Sequence, residues 1–132
     1  MKINMTPYSY VGTINPLTVG FKRGNEYISD IIFNVVEMFD GVNKEFIMDK
    51  SRIKSYREAR QLIHYLFSEF TDFTDKKIAS LTNRHRTTVL HSIKTVKNVL
   101  SYNRKLQEKI ELMKEEISRR IIIEENKIVG IE

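Results

Sequence analysis

At 132 residues, 41% of them hydrophobic and 30% charged, the chain is sized for one folded domain with tails, which excludes disorder along its whole length. It has no cysteine, which excludes disulfides, thiolate metal sites and a cysteine nucleophile. The Met1 end carries no secretory apolar stretch and no run of about 18 apolar residues occurs, so a cytoplasmic protein outside the membrane is expected. The net charge of +5 points towards polyanions, and its distribution says more than its total. No Asp or Glu occurs from Lys76 to Gln107, a window that holds Lys76, Lys77, Arg84, Arg86, Lys94, Lys97, Arg104 and Lys105. Five of the eleven residues from Lys50 to Arg60 are also Lys or Arg. A merely solvated face mixes both signs, so this segregation favours a phosphate-facing surface.

Residues 1–24 hold both prolines with Gly12 and Gly20 and show no sustained period, which reads as an extended or mobile arm. A helical domain is expected over residues 25–118. Asn25 is placed to cap a helix in which Ile28, Ile31, Ile32, Val35, Val36 and Phe39 recur at helical spacing, ending at Asp40-Gly41. From Val42 to Lys54 the period lapses and a loop is expected. Ser55-Tyr56-Arg57-Glu58 has the form of a capping box, and behind it Ala59, Leu62, Ile63, Leu66 and Phe70 share one buried face.

Thr74 and Asp75 start a short helix carrying Ile78, Ala79 and Leu81. A turn at Thr82-Asn83-Arg84-His85 leads into a longer helix with Val89, Ile93, Val96 and Leu100 on its inner side. Two helices with so short a connection read as a helix-turn-helix, at about residues 74–100. Beyond Asn103, Leu106, Ile110, Met113 and Ile117 predict a last helix that folds back on the bundle, with a homodimeric coiled coil as the alternative. Residues 119–132 extend that helix, end as a tail or turn as a hairpin around Asn126.

In such a fold the second helix presents its first residues to base edges in the major groove. Here these are Arg84, His85, Arg86, Thr87 and Thr88. Arginine forks onto guanine O6 and N7, histidine donates or accepts, and threonine offers a hydroxyl and a methyl. Lys94 and Lys97 lie on the same helix, away from its core face, as phosphate contacts.

The run from Lys54 to Leu100, with Ala59-Arg60-Gln61, Ile78-Ala79 and Thr87-Thr88-Val89-Leu90-His91-Ser92 in gapless register, resembles the C-terminal DNA-binding domain of the bacterial replication initiator DnaA. The resemblance implies an all-α small bundle with a helix-turn-helix of the DnaA C-terminal or Trp-repressor type, and double-stranded DNA as partner. It implies base contacts from Arg84, His85, Arg86, Thr87 and Thr88, minor-groove entry by Arg52 and a phosphate contact from Lys54. His85 stands where the family has an acid, Arg86 where it has a histidine, Lys76 where it has a proline and Ala79 where it has a glycine. Two added potential cations change which bases are preferred, so DNA binding carries over and the family's target box does not. Lys76 joins the phosphate-facing set.

No Gly-x-x-x-x-Gly-Lys-[Ser/Thr] run occurs, so the initiator's ATPase module is not expected, and with it no bound nucleotide. His64, His85 and His91 share no ligand spacing, so neither metal nor cofactor is expected, and no enzyme. The function expected is a sequence-preferring DNA-binding protein, as a replication accessory factor or transcriptional regulator, including one from a phage or plasmid. The alternative is a helical interaction or structural protein, virion-associated or dimeric, whose basic face is incidental.

Overall fold

A computed structural model describes residues 26–128, which form α1 (Glu26–Asp40), α2 (Lys44–Met48), α3 (Lys54–Phe70), α4 (Asp75–Thr82), α5 (Arg86–Leu100) and α6 (Arg104–Ile128), with no strand among them. The class is all-α, as the periodicities predict. The arm at residues 1–24, the Asn25 cap and residues 129–132 lie outside the described part.

On α1 the expected stripe of Ile28, Ile31, Ile32, Val35 and Val36 is buried, and Phe33 is buried beside it. The helix stops where Gly41 takes φ 73° and donates its N–H to the Glu37 carbonyl at 2.8 Å. A side chain at that φ is strained, which is why glycine serves there.

The segment from Val42 to Lys54, expected to be a loop, contains α2. Asn43 caps it by accepting the Phe46 N–H at 3.0 Å, and Ile47 is fully buried. Five residues are too few to show a helical period, so a cap and one apolar anchor carry this element.

The capping box expected at Ser55 and Glu58 is not formed. The Asp49 carboxylate accepts the Ser51 N–H at 2.9 Å and the Ser51 hydroxyl accepts the Ile53 N–H at 3.2 Å. Those two local turns start α3 two residues earlier, with Ile53 as its cap residue and Ser55 already inside the first turn. A serine with helical backbone can no longer reach the third amide of its own helix.

Helix α3 is the centre of the fold. Ala59, Leu62, Ile63 and Leu66 are buried as expected, but so are Arg60, His64, Tyr65 and Phe67, because α1 and α5 both pack on it. Phe67 meets Phe33 edge-on at 5.7 Å between ring centroids and lies 5.9 Å from Phe73. Such aromatic pairs add stabilisation beyond the area they bury.

The last helix starts at an Asn103 cap, whose side chain accepts the Leu106 N–H at 2.9 Å. Ile110, Met113, Ile117 and Ile121 are buried in contacts with α1 and α5, so the stripe that would zip a coiled coil is covered within the chain. Lys109 pairs with Asp40, and Lys114 bonds both Tyr65 Oη at 3.3 Å and Glu69 at 3.0 Å, which ties α6 to α1 and α3. The hairpin around Asn126 is not formed, since that residue lies within α6. No helix among the described residues is long and apolar enough to cross a membrane.

Candidate nucleic-acid interface

Helices α4 and α5 are joined by Asn83, Arg84 and His85. Thr74 caps α4 by accepting the Lys77 N–H at 3.1 Å. At the other end Asn83 adopts the left-handed conformation, φ 56° and ψ 48°. Its N–H reaches the Ser80 carbonyl at 3.3 Å, and the Arg84 N–H reaches that of Ala79 at 2.9 Å. This pair of bonds closes a Schellman motif, with asparagine, the non-glycine residue best suited to φ > 0, at its pivot. The chain therefore reverses within three residues, and α5 leaves the turn with its first residues facing outward.

The turn is also tied to the basic loop that precedes α3. Buried Arg60 donates from Nε to the Ile47 carbonyl at 2.9 Å and from Nη2 to that of Asp49 at 3.2 Å. Arg84 donates to the carbonyls of Asn83, at 2.8 Å, and Asp49. The Asn83 side chain reaches the Met48 carbonyl at 3.3 Å. Asn83 and Arg84 thus hold residues 48–49 against the helix-turn-helix while Arg60 holds them to α3, so the loop that leads to Arg52 is bonded to the turn before α5.

Burial, and to a lesser degree the neighbouring Arg84, lower the Arg60 pKa from its ordinary value, yet a guanidinium stays charged and needs its acceptors. His64 is fully buried, and its Nε2 lies 2.8 Å from Thr82 Oγ1. The threonine hydroxyl spends its one proton on the Ile78 carbonyl, so His64 carries hydrogen on Nε2. Nδ1 is left buried with no partner. Burial first, then Arg60 and Arg84, lower the His64 pKa to about 4, so the ring is neutral and structural.

Helix α5 begins at Arg86, two residues after the expected stretch opens. Arg84 is half-buried and turned onto backbone carbonyls, a correction to the expectation that it faces outward with Arg86. The cause is the Asp49 carbonyl within its reach. His85 is the exposed cap residue of α5, with no side-chain capping bond. Arg86, Thr87 and Thr88 are exposed, as are Leu90, Lys94 and Lys97 further along the helix. Arg52 and Lys54 are exposed at the loop and first residue of α3. Lys76 is exposed near the far end of α4 from the turn, roughly 10 Å along its axis at 1.5 Å per residue, so it stands apart from the others.

Charge pairing divides the molecule in two. Lys77, Lys109, Lys114, Arg119 and Arg120 have carboxylate partners on Glu26, Asp40, Glu69 and Glu116. Arg52, Lys54, Lys76, Arg86, Lys94 and Lys97 have none among the described residues. The first turns of α3 and α5 contain no acid, but they do contain Lys54, Arg57 and Arg86. Cations at the positive end of a helix dipole are locally unfavourable, and an external anion relieves them. The amides of Arg86 and Thr87 have no acceptor among the described residues, which adds two donors at the same place.

Arg60 and Asn83 are the positioning residues that sequence reasoning missed. Arg60 lies one residue from Ala59 in a helix buried on most sides, a clue visible only once α3 is known to be central. Asn83 sits where a helix C-terminus calls for glycine or asparagine, a clue present in the sequence. Among the described residues no group of three His, Asp or Glu side chains is arranged to hold a metal ion.

Comparison with known proteins matches residues 28–96 to the family described as the bacterial dnaA protein helix-turn-helix. The chain is 32% identical over 101 residues to the chromosomal replication initiator protein DnaA of Kosmotoga olearia, covering 76% of this chain and 22% of that protein. It is 36% identical over 85 residues to the DnaA of Bacteroides thetaiotaomicron, covering 64% and 18%. With the DnaA of Bacteroides fragilis the identity is 42% over 71 residues, covering 53% and 15%. The match therefore spans about a fifth of the length of these curated relatives.

Proposed function

The chain belongs to the family of the bacterial DnaA helix-turn-helix, and from that premise we propose that it binds duplex DNA through the start of α5 and the basic loop before α3. The observation that carries this is the unpaired, acid-free set of cations at the positive ends of those two helices, on segments bonded to each other.

In this reading α5 lies in the major groove. Arg86 reads a base edge, Thr87 and Thr88 supply hydroxyls and methyls, and His85 contacts a base or phosphate beside them. The free amides of Arg86 and Thr87 take a phosphate, and Lys94 and Lys97 follow the backbone. Arg52 enters the adjacent minor groove while Lys54 holds the phosphate at its rim. Lys76 reaches a phosphate further out. Arg84 acts from within, fixing the loop on which Arg52 sits. No step here needs catalysis or a bound nucleotide.

The biological role that fits is a cytoplasmic replication accessory factor or transcriptional regulator with a target sequence of its own, because His85 and Arg86 replace the family's acid and histidine. A homodimer through α6 would use the outer side of that helix, where Leu112, Ile122 and Ile123 remain exposed.

Selection of bound oligonucleotides, followed by titration of two variants, tests the division of labour. Arg86→Ala should weaken binding to the selected sequence by about 1–3 kcal/mol and flatten preference at one position, whereas Lys94→Ala should weaken all duplexes alike. Equal losses on every duplex for Arg86→Ala would remove that residue from base reading.

A further inference from the structure

Ile53 is out of place by every local rule. It is the cap residue of α3, with φ −58°, ψ 132° and no side-chain capping bond. Isoleucine is among the poorest residues for that position, where serine, aspartate or asparagine would satisfy a free amide. The residue is 52% exposed, so packing inside the chain offsets the poor cap only in part.

Its mount is nevertheless well fixed. The Ile53 N–H donates to Ser51 Oγ at 3.2 Å and its carbonyl accepts the Arg57 N–H at 3.0 Å. A few residues upstream, Arg60 and Arg84 hold the Asp49 carbonyl and Asn83 holds that of Met48. Tyr56, one turn on, is stacked on Phe46 with ring centroids 4.9 Å apart and planes 7° from parallel, so the nearby aromatic surface is already used. Arg52 and Lys54 on either side are exposed and have no carboxylate partner among the described residues. An aliphatic side chain on a backbone fixed in this way, between two unpaired cations, is complementary to a surface that is apolar and bordered by anions. The minor groove of duplex DNA is such a surface, with deoxyribose walls between two rows of phosphates, and isoleucine is among the side chains that proteins press into it.

We propose that Ile53 is an apolar contact with the minor groove of duplex DNA, packing on the sugar wall beside the point where Arg52 enters. The inference rests on the DNA-binding reading above and adds to it a residue that carries no charge.

The test uses Ile53→Ser and Ile53→Val in the full chain, with a short duplex of mixed sequence as the probe. Serine is the better cap, so the Ile53→Ser protein should unfold at a urea concentration equal to or higher than that of the unaltered protein. It should nonetheless bind the duplex about five- to ten-fold more weakly, the loss expected from removing most of one buried aliphatic side chain. The slope of log affinity against log salt should stay the same, because no charge is removed. Ile53→Val should stay within about two-fold of the unaltered protein. Saturating the duplex with a minor-groove drug such as distamycin should erase the difference between the serine variant and the unaltered chain.

Salt-sensitive binding by the unaltered chain together with undiminished affinity in Ile53→Ser would overturn the inference while leaving the DNA reading intact. A difference that survives distamycin would also overturn it, by removing the minor groove from the account. Absence of salt-sensitive binding in the unaltered chain would overturn both.

Discussion

His64 shows how one side chain couples the scaffold to pH. Its folded-state pKa is lowered to about 4 from about 6.5 in an unfolded chain. A base with a depressed folded pKa binds fewer protons when folded, so its stabilisation is complete above pH 6.5 and is lost as pH falls towards 4. The full shift corresponds to about 3 kcal/mol. Urea unfolding between pH 7 and pH 4 should show a decline of that order for the unaltered protein and a shallower one for His64→Gln, which keeps an amide donor for Thr82. Identical slopes would remove His64 as the cause. Asn83 is the other residue whose conformation is decisive. Asn83→Ala places an alanine at φ 56° and should destabilise by about 1–2 kcal/mol. Asn83→Gly, measured in the same melts, should recover most of that loss while giving up the bond to Met48.

Among the elements, those with several apolar residues at a regular period were legible in the sequence. The inner faces of α1 and α5 and the fold-back of α6 follow directly from Ile28 to Val36, from Val89 and Val96, and from Ile110 to Ile117. Thr74 announced α4 by its chemistry. What could not be read was decided by long-range contacts or by competing local bonds. Helix α2 exists because Ile47 finds a buried place and Asn43 caps it, and neither fact has a period. The Ser55 cap lost to the Asp49 and Ser51 turns because those bonds fix Ile53 as the cap residue and leave Ser55 inside the helix. Arg84 looked like an outward cation because the sequence does not show that the Asp49 carbonyl lies 35 residues upstream yet next to it in space. The same staple supplies an element-scale prediction. Arg60→Met removes the donors to Ile47 and Asp49, so hydrogen exchange at the Ser51 and Ile53 amides should speed up while the α3 core amides around Ile63 stay protected. Unchanged exchange at those two loop amides would mean that Arg84 and Asn83 suffice to hold the loop.

At the scale of the whole molecule the distribution of charge separates ion-paired cations from unpaired ones. Ion pairs on α1, α3 and α6 involve Asp40, Glu69 and Glu116, and the cations of the loop, the turn and α5 are left without such partners. This division was visible in the sequence as an acid-free window; the fold adds that Arg52 and Arg86, 34 positions apart in the sequence, stand on segments bonded to each other. Exposed cations that face a polyanion release its condensed counterions on binding, and that release is countable. The most direct measurement is the affinity for duplex DNA across a range of salt concentrations. With the six cationic charges of Arg52, Lys54, Lys76, Arg86, Lys94 and Lys97 brought to the DNA, in the grooves or on the backbone, and about six phosphate charges offset, log affinity should fall against log salt with a slope of about −5. A slope near zero, or no complex at low salt, would contradict the account and leave the basic side of this bundle without a polyanion to meet.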